Sequence, residues 1–281
     1  MTKKINIIFL ISIGALVIVG VVLYWSNHNT QTYSKTSTLT SGVPLSESQD
    51  EVMELKQSPE TVQEIPIIVY HSIAPAPSHS ESVMQKRFRI DPENFALQMQ
   101  YLKDNKYTPI TFDHLAEYLL HDENIPDKPI VLTFDDGLEN QFQYAFPILQ
   151  KFGFVGTFFI YPGVTEHKGF MNWEQLAVLV ADGQEIGDHS MIHYNLTSLD
   201  IKDLNHEIVE SKKILEEKLD ITVMTLAYPH YAENEIVREA VLEAGYIAAR
   251  AGWRTVKNSA DEIFHLTARE ATNKKSPFMM P

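Results

Sequence analysis

The stretch from Pro129 to Gly137 constrains the fold of this chain more than any other. It is an apolar run that ends in two adjacent carboxylates, Asp135 and Asp136, followed by a glycine. Such a run is typical of a buried strand, on which neighbouring side chains point to opposite faces. Two carboxylates at its end are costly to bury without a positive partner, either a basic side chain or a metal ion. An acidic turn is the alternative interpretation, because Asp-Gly is a common turn pair.

Strand-like runs alternate with helical segments along the rest of the chain. The predicted strands are residues 65–70, 129–134, 155–160, 223–227 and 246–250, and the predicted helices are residues 92–106, 112–121, 142–149, 172–182, 200–219 and 233–244. This order indicates an α/β fold with parallel strands joined by crossover helices. In such folds the functional residues lie at the carboxyl ends of the strands, where His71, Asp135, Asp136 and His189 are found.

The first 63 residues differ in composition from the remainder. Residues 5–25 form an uncharged apolar run after Lys3 and Lys4, and a helix of that length can cross a bilayer of about 30 Å. The lysines place the amino terminus in the cytoplasm, which predicts a single-pass cell-membrane protein with its folded part outside the cell. A cleaved signal peptide, giving a secreted protein, is the alternative. Residues 26–63 are predicted to be a flexible extracellular stalk, residues 64–270 the folded domain, and residues 271–281 a tail.

Charge and cysteine content exclude several kinds of partner and site. The net charge of −14 leaves too little clustered Lys and Arg to neutralise phosphates, so nucleic acid is not an expected partner. The chain has no cysteine, which excludes disulfides, thiolate zinc sites and lipid-modified cysteine anchors. A metal ion would therefore have to be held by His, Asp or Glu.

His189 and His193 are the first candidates for metal ligands. They are four residues apart and would face one point if the segment were helical. Two histidines with one carboxylate form a ligand set that leaves positions open for water and substrate. Histidine pairs at this spacing also occur on protein surfaces, so the pair alone leaves both interpretations open.

The motifs together resemble the polysaccharide deacetylases of carbohydrate esterase family four. The resemblance is carried by Thr133–Gly137, by Glu185–Ser190 with His193 and Leu196, and by the segments Phe154–Ile160 and Leu226–His230. It extends over roughly Ile65 to Arg269. It implies a distorted (β/α) barrel with a divalent metal ion, typically zinc, as the catalytic domain. It also implies removal of acetyl groups from the N-acetylglucosamine units of an extracellular polysaccharide.

The family pattern implies a role for each matching residue. Asp136, His189 and His193 would be the metal ligands, and Asp135 the general base. The backbone N–H of His230 resembles part of the family's oxyanion hole. We also predict substrate contacts from three residues: Tyr228, Pro229 and Trp253.

Two departures from the family pattern matter for the chemistry. Ala227 stands where the family has an arginine that holds the catalytic aspartate, and Arg250 and Arg254 are the candidates to replace it. The segment around His265 does not match the family's late histidine. His71 is therefore a candidate general acid or substrate contact, with a purely structural role as the alternative.

The segment around His71 and the weak third motif resemble the branch that acts on β-1,6-linked poly-N-acetylglucosamine. That polymer is the predicted substrate. A peptidoglycan N-acetylglucosamine deacetylase is the alternative within the enzyme class, and an inactive glycan-binding relative is the alternative outside it.

Overall fold

The computed structural model describes residues 65–77, 82–252 and 258–275. The predicted anchor and stalk therefore lie outside the described residues, as do Trp253 and Arg254. Within those ranges no helix is both long enough and apolar enough to cross a membrane. This finding contradicts the predicted cell-membrane localisation, which rests on residues 5–25 alone.

A parallel sheet forms the centre of the described chain, and every strand pairing in it is parallel. Its strands are β1 (Ile67–Tyr70), β4 (Thr108–Ile110), β5 (Pro129–Phe134), β6 (Thr157–Ile160), β7 (Glu185–Asp188), β8 (Thr225–Ala227), β9 (Ala248–Arg250) and β10 (Arg269–Glu270), and a separate pair consists of β2 (Ser72–Ile73) and β3 (Arg89–Ile90). The strand order is β10-β1-β5-β6-β7-β8-β9, with β4 also paired to β5. The predicted α/β class with parallel pairing is confirmed.

Strand β5 lies in the middle of this sheet and is buried along its whole length. It pairs with β1 on one side, while β4 and β6 pair with its first and last residues respectively. A parallel strand covered on both faces needs apolar residues at successive positions rather than alternating ones. The apolar run that starts at Pro129 meets this requirement and brings Asp135 to the carboxyl edge of the sheet.

Helices lie between most of the strands. They are α1 (Val83–Phe88), α2 (Pro92–Asp104), α3 (Phe112–His121), α4 (Phe146–Phe152), α5 (Trp173–Ala181), α6 (Ile201–Asn205), α7 (Ser211–Leu219) and α8 (Glu235–Glu243). Asn172 and Gln175 form the predicted capping box at the start of α5. The long helix predicted for residues 200–219 is present, and a π-helical turn, His206–Glu210, lies within it between α6 and α7.

The segment from Leu266 to Glu270 connects the two edges of the sheet. At one edge, Leu266 exchanges backbone hydrogen bonds of 3.0 and 2.8 Å with Ala249 and Ala251 of the β9 region. At the other edge, β10 pairs with β1. This segment therefore brings residues from the end of the domain beside the strand that begins it.

Candidate metal centre

Side chains that follow four strands of the sheet, β1, β5, β7 and β8, meet at its carboxyl edge. They surround a cavity of about 580 Å³. The cavity is lined by residues that include His71, Asp135, Asp136, His189, His193, Tyr228, His230 and Tyr231, together with the apolar residues Pro75, Met84 and Phe88. Of the predicted site residues that lie in the described ranges, all except Pro229 line this cavity.

Asp136, His189 and His193 form the only group of described residues whose geometry suits a metal ion. The three ligand atoms lie within 4.8 Å of one another. The Oδ1 atom of Asp136 is 3.4 Å from Nε2 of His193 and 3.7 Å from Nε2 of His189. Ligands about 2.0–2.2 Å from a shared zinc ion lie at similar distances from each other. The donor set therefore fits a divalent cation.

The two imidazoles meet through a loop, not through a helical turn. Ser190 and His193 adopt left-handed backbone conformations, with φ of 63° and 64°, and residues 189–193 are outside any helix. The ring centroids of His189 and His193 are 4.8 Å apart. The spacing of four residues predicted that the two rings would meet across a helical turn, whereas the structure brings them together through this loop.

Neighbouring groups hold this loop in place. The backbone N–H of Met191 donates to the carbonyl oxygen of Glu207 at 3.0 Å, and that of Ile192 donates to the Glu207 carboxylate at 3.0 Å. The N–H of Gly163 donates to the Met191 carbonyl at 2.9 Å. The N–H of His193 donates to Oγ of Ser190 at 3.2 Å. These bonds fix the backbone between the two imidazoles.

Burial keeps both imidazoles in the neutral form that binds a metal ion. It lowers the pKa of His189 to about 3 and that of His193 to about 4. Nδ1 of His189 donates to the Ala227 carbonyl oxygen at 2.6 Å, so its unprotonated Nε2 faces Asp136. A backbone carbonyl that fixes the tautomer of a ligating histidine is a common feature of metal sites. Burial also raises the pKa of Asp136 to about 6.

Asp135 has a different environment from its neighbour. It is buried and accepts hydrogen bonds from Nη2 of Arg250 on both carboxylate oxygens, at 2.6 and 2.5 Å. Burial by itself raises the pKa of Asp135, but the positive charge of Arg250, assisted by His189 and His71, holds it below its ordinary value. The next two residues, Asp136 and Gly137, adopt left-handed backbone conformations with φ of 77° and 64°. The chain therefore turns at this point, as the alternative interpretation of the sequence predicted, and the same two carboxylates also lie at the candidate site.

Arg250 provides the guanidinium group that the family pattern would place at position 227. The two residues are register partners on neighbouring strands β8 and β9, so their side chains project to the same face of the sheet. The guanidinium group is fully buried, and its Cζ lies 5.3 Å from the ring centroid of Phe159 and 5.5 Å from that of Tyr231. These distances allow cation–π attraction on top of the ion pair with Asp135.

His71 lies between two carboxylates. Its Nε2 is 3.8 Å from Oδ2 of Asp135, and its Nδ1 is 3.4 Å from Oε1 of Glu270. Its ring also packs against Phe88, with centroids 4.6 Å apart. Sequence reasoning missed Glu270, which belongs to a two-residue strand without a pattern that could have indicated it.

The remaining predicted residues occupy distinct positions. His230 has φ of 58° and lines the cavity, with its ring 4.6 Å from that of His193. Pro229 is buried, and Tyr228 is buried with its hydroxyl donating to the Phe264 carbonyl at 3.0 Å. His265 instead pairs with Glu233 at 2.7 Å and lines a separate surface pocket.

Three comparisons relate this geometry to known proteins. Residues 122–249 match the family model described as polysaccharide deacetylase. The chain is 29% identical to YxkH of Bacillus subtilis, whose name places it among the polysaccharide deacetylases, over 65% of this chain and 62% of that protein. It is 26% identical to the poly-β-1,6-N-acetyl-D-glucosamine N-deacetylase of Staphylococcus aureus, over 59% of this chain and 63% of that enzyme. The matches thus span about three fifths of these two relatives.

A solved structure supports the fold. The deacetylase PplD of Streptococcus pyogenes, in complex with acetate, superposes with a TM-score of 0.69 over 77% of this chain and 98% of that one, at 24% identity. The architecture is therefore the (β/α) fold of the deacetylases. The chain is therefore similar to the polysaccharide deacetylase family in sequence over residues 122–249, and to PplD in fold.

Proposed function

We propose that this protein is a divalent-metal-dependent hydrolase that deacetylates N-acetylglucosamine units of a polysaccharide. We propose Zn²⁺ as the metal, residues 64–270 as the catalytic domain and β-1,6-linked poly-N-acetylglucosamine as the substrate. The observation that carries the proposal is the cluster of Asp136, His189 and His193 beside a second buried carboxylate, Asp135. The name of the Staphylococcus aureus relative supports this polymer as the substrate.

Each member of the cluster has a defined task in this reaction. A divalent ion held by Asp136, His189 and His193 supplies Lewis acidity, which activates water as a nucleophile and polarises the amide carbonyl. Asp135 accepts a proton from the attacking water. The Arg250 ion pair keeps Asp135 ionised and fixes its orientation, as a general base requires.

The remaining groups act on the oxygen and the nitrogen of the amide. The backbone N–H of His230 donates to the carbonyl oxygen as negative charge develops there. His71 gives a proton to the nitrogen as the carbon–nitrogen bond breaks, and the products are acetate and a free amine. Because Nε2 of His71 is 3.8 Å from Asp135, the proton that Asp135 has taken up can then return to His71.

Paired variants of the two aspartates test the proposal. Asp135→Asn should abolish acetate release while the protein keeps its metal, and Asp136→Asn should lose both. Metal content is measured on each purified variant, and wild-type activity should disappear with a chelator and return with Zn²⁺. Full activity in Asp135→Asn would refute the assignment of the base. Bound metal without turnover of any polymer would favour a glycan-binding relative.

The polymer is tested separately from the chemistry. Acetate release is measured side by side from β-1,6-linked poly-N-acetylglucosamine and from purified peptidoglycan, because the residues named above serve either substrate equally. Release from peptidoglycan alone would overturn the proposed linkage while leaving the reaction intact.

A further inference from the structure

The loop that carries His193 has a strained backbone. Ser190 and His193 both adopt left-handed conformations, with φ of 63° and 64°. Residues other than glycine rarely do so, because Cβ then approaches the following carbonyl oxygen. Such a conformation persists only where the surrounding structure fixes it. The contacts of the two residues in between, Met191 and Ile192, therefore decide whether His193 stays at the metal centre.

His189 does not depend on the loop in this way. It directly follows strand β7, and its backbone N–H donates to the carbonyl oxygen of Ile160 on β6 at 2.8 Å. Its Nδ1 donates to the carbonyl oxygen of Ala227 on β8 at 2.6 Å. Both neighbouring strands thus fix this imidazole, whereas His193 lies on the loop itself.

Glu207 holds the middle of the loop with two of its groups. Its backbone carbonyl oxygen accepts from the Met191 N–H, and its side-chain carboxylate accepts from the Ile192 N–H, both at 3.0 Å. Glu207 is buried, at 4% exposure, and hydrogen bonds in such an environment are stronger than in water. Oγ of Ser211 also donates to the Glu207 carbonyl oxygen, at 2.7 Å, which ties that oxygen to the next turn of the helix.

The position of Glu207 follows from the π-helical turn His206–Glu210. A π-helical turn has backbone hydrogen bonds between residues i and i+5 instead of i+4, and such turns are frequent at functional sites. Here the turn brings the carbonyl oxygen and the carboxylate of one residue to adjacent N–H groups of the loop. The irregularity of the helix is thus coupled to the loop that carries His193.

We infer that Glu207 is a positioning residue that keeps His193 within reach of the metal ion; this role rests on the metal site of the proposed function. Without the carboxylate, the Ile192 N–H loses its acceptor, and the loop can relax from its left-handed conformations. Asp136 and His189 would then hold the ion with one ligand fewer. Glu207 does not line the cavity and acts through the loop backbone alone.

The experiment compares Glu207→Ala and Glu207→Gln in the full chain, with Zn²⁺ as the probe. Zn²⁺ affinity is measured by competition with a chromogenic chelator, and urea unfolding in excess chelator measures the stability of the metal-free protein. We expect Glu207→Ala to weaken Zn²⁺ binding by about 10- to 100-fold. Glu207→Gln keeps a side-chain oxygen that can accept from the Ile192 N–H, so its affinity should stay within about threefold of wild type.

Glu216→Ala is the matched control. Glu216 lies on α7, in the same helical stretch, and its carboxylate also accepts a backbone N–H, that of Val223 at 3.0 Å. It does not line the cavity of the metal centre. This variant should lose stability in urea while its Zn²⁺ affinity stays at the wild-type level.

The possible results separate a positioning role from a structural one. Unchanged Zn²⁺ affinity in Glu207→Ala, or an equal loss in Glu207→Ala and Glu216→Ala, would overturn the inference. A loss in Glu207→Gln as large as that in Glu207→Ala would overturn it as well, because the acceptor oxygen is then not what matters. A wild-type chain that binds Zn²⁺ tightly but releases no acetate from any glycan would instead overturn the proposed function and leave the inference standing.

Discussion

Arg250 reaches Asp135 from the strand position that is paired with Ala227. The arginine that the family has on β8 is thus replaced by one on β9, and both positions project to the same face of the sheet. Asp135, the proposed general base, thus has a positive partner although Ala227 stands where the family pattern has an arginine.

Removal of the guanidinium group should inactivate and destabilise the protein. In Arg250→Ala, Asp135 is left buried without a counter-charge, so burial raises its pKa and favours the protonated form, which cannot act as a base. We expect a loss of roughly 3–5 kcal/mol in the free energy of unfolding and of at least about 100-fold in kcat/KM. Urea unfolding and acetate release measure the two effects.

A transplanted arginine provides the decisive control for this pair. The double variant Ala227→Arg/Arg250→Ala should recover activity relative to Arg250→Ala, because the guanidinium returns to the same face of the sheet. Arg238→Ala, which removes only a partly exposed partner of Glu233, should change neither measurement appreciably. A folded double variant no more active than the single one would show that the strand of origin matters.

Asp188 should make stability depend on pH. Its carboxyl group is fully buried and contacts the hydroxyls of Ser211 and Tyr246, and burial raises its pKa to about 7. Because the folded-state pKa is raised, the stabilising contribution is complete below the ordinary value near 3.8 and is lost as pH rises through about 7. The loss should amount to a few kcal/mol.

Asp188→Asn removes this titration and provides the comparison. Urea unfolding of both proteins between pH 4.5 and 8, in the presence of a chelator, should show wild type losing stability relative to the variant as pH rises. A difference between the two proteins that does not change with pH would contradict the prediction.

Gly163 should be required for metal binding. A Cβ atom at this position would lie 2.5 Å from the Met191 carbonyl oxygen and would also clash with the side chain of Ile192. Gly163→Ala should therefore displace the loop between the two imidazoles and weaken metal affinity by at least about 10-fold. A competition titration against a chromogenic chelator measures the affinity.

Gly183→Ala is the matched control for the loop. Gly183 has φ of 84°, and nothing lies within 4 Å of an added Cβ, so alanine there costs about 1 kcal/mol of backbone strain. Its melting temperature should fall while metal affinity stays at the wild-type level. Equal affinities in the two variants would mean that Gly163 does not control the loop.

His230→Gly should retain most of the activity. His230 adopts φ of 58°, which glycine accepts readily, and its proposed role uses the backbone N–H alone. We expect kcat to stay within about tenfold of wild type, whereas loss of an oxyanion donor costs about 100- to 1,000-fold. A loss in that larger range would assign the imidazole itself to the reaction.

The long periodic or apolar segments were predictable, and the short ones were not. The β5 strand and the α5 capping box follow from local patterns that the structure confirms. Helix α1 has six residues, none of them buried, and strand β10 has two, so neither is long enough to show a hydrophobic period in the sequence. The long helix predicted for residues 200–219 is present, but its π-helical turn, in which the buried Glu207 accepts a hydrogen bond from the Ile192 N–H, was not predicted.

The candidate site likewise combines residues that the sequence identified with one that it did not. Its residues could be nominated from two motifs, but their arrangement depends on strand order. The sequence identified Arg250 only as one of two candidates, because the pairing register of β8 and β9 cannot be determined from the sequence of either strand alone. Glu270 carries no local signal, since its partner His71 lies near the other end of the domain.

The link made by residues 266–270 has a consequence for how the site is assembled during synthesis. His71 leaves the ribosome early, whereas β10, which supplies Glu270 and pairs with β1, is among the last described elements to emerge. Strand β1 therefore cannot pair with β10 until nearly the whole described domain has been synthesised, and contacts so distant in sequence slow folding. A nascent chain that stops before Leu266 would expose the edges of both β1 and β9, which makes aggregation the main hazard of incomplete synthesis.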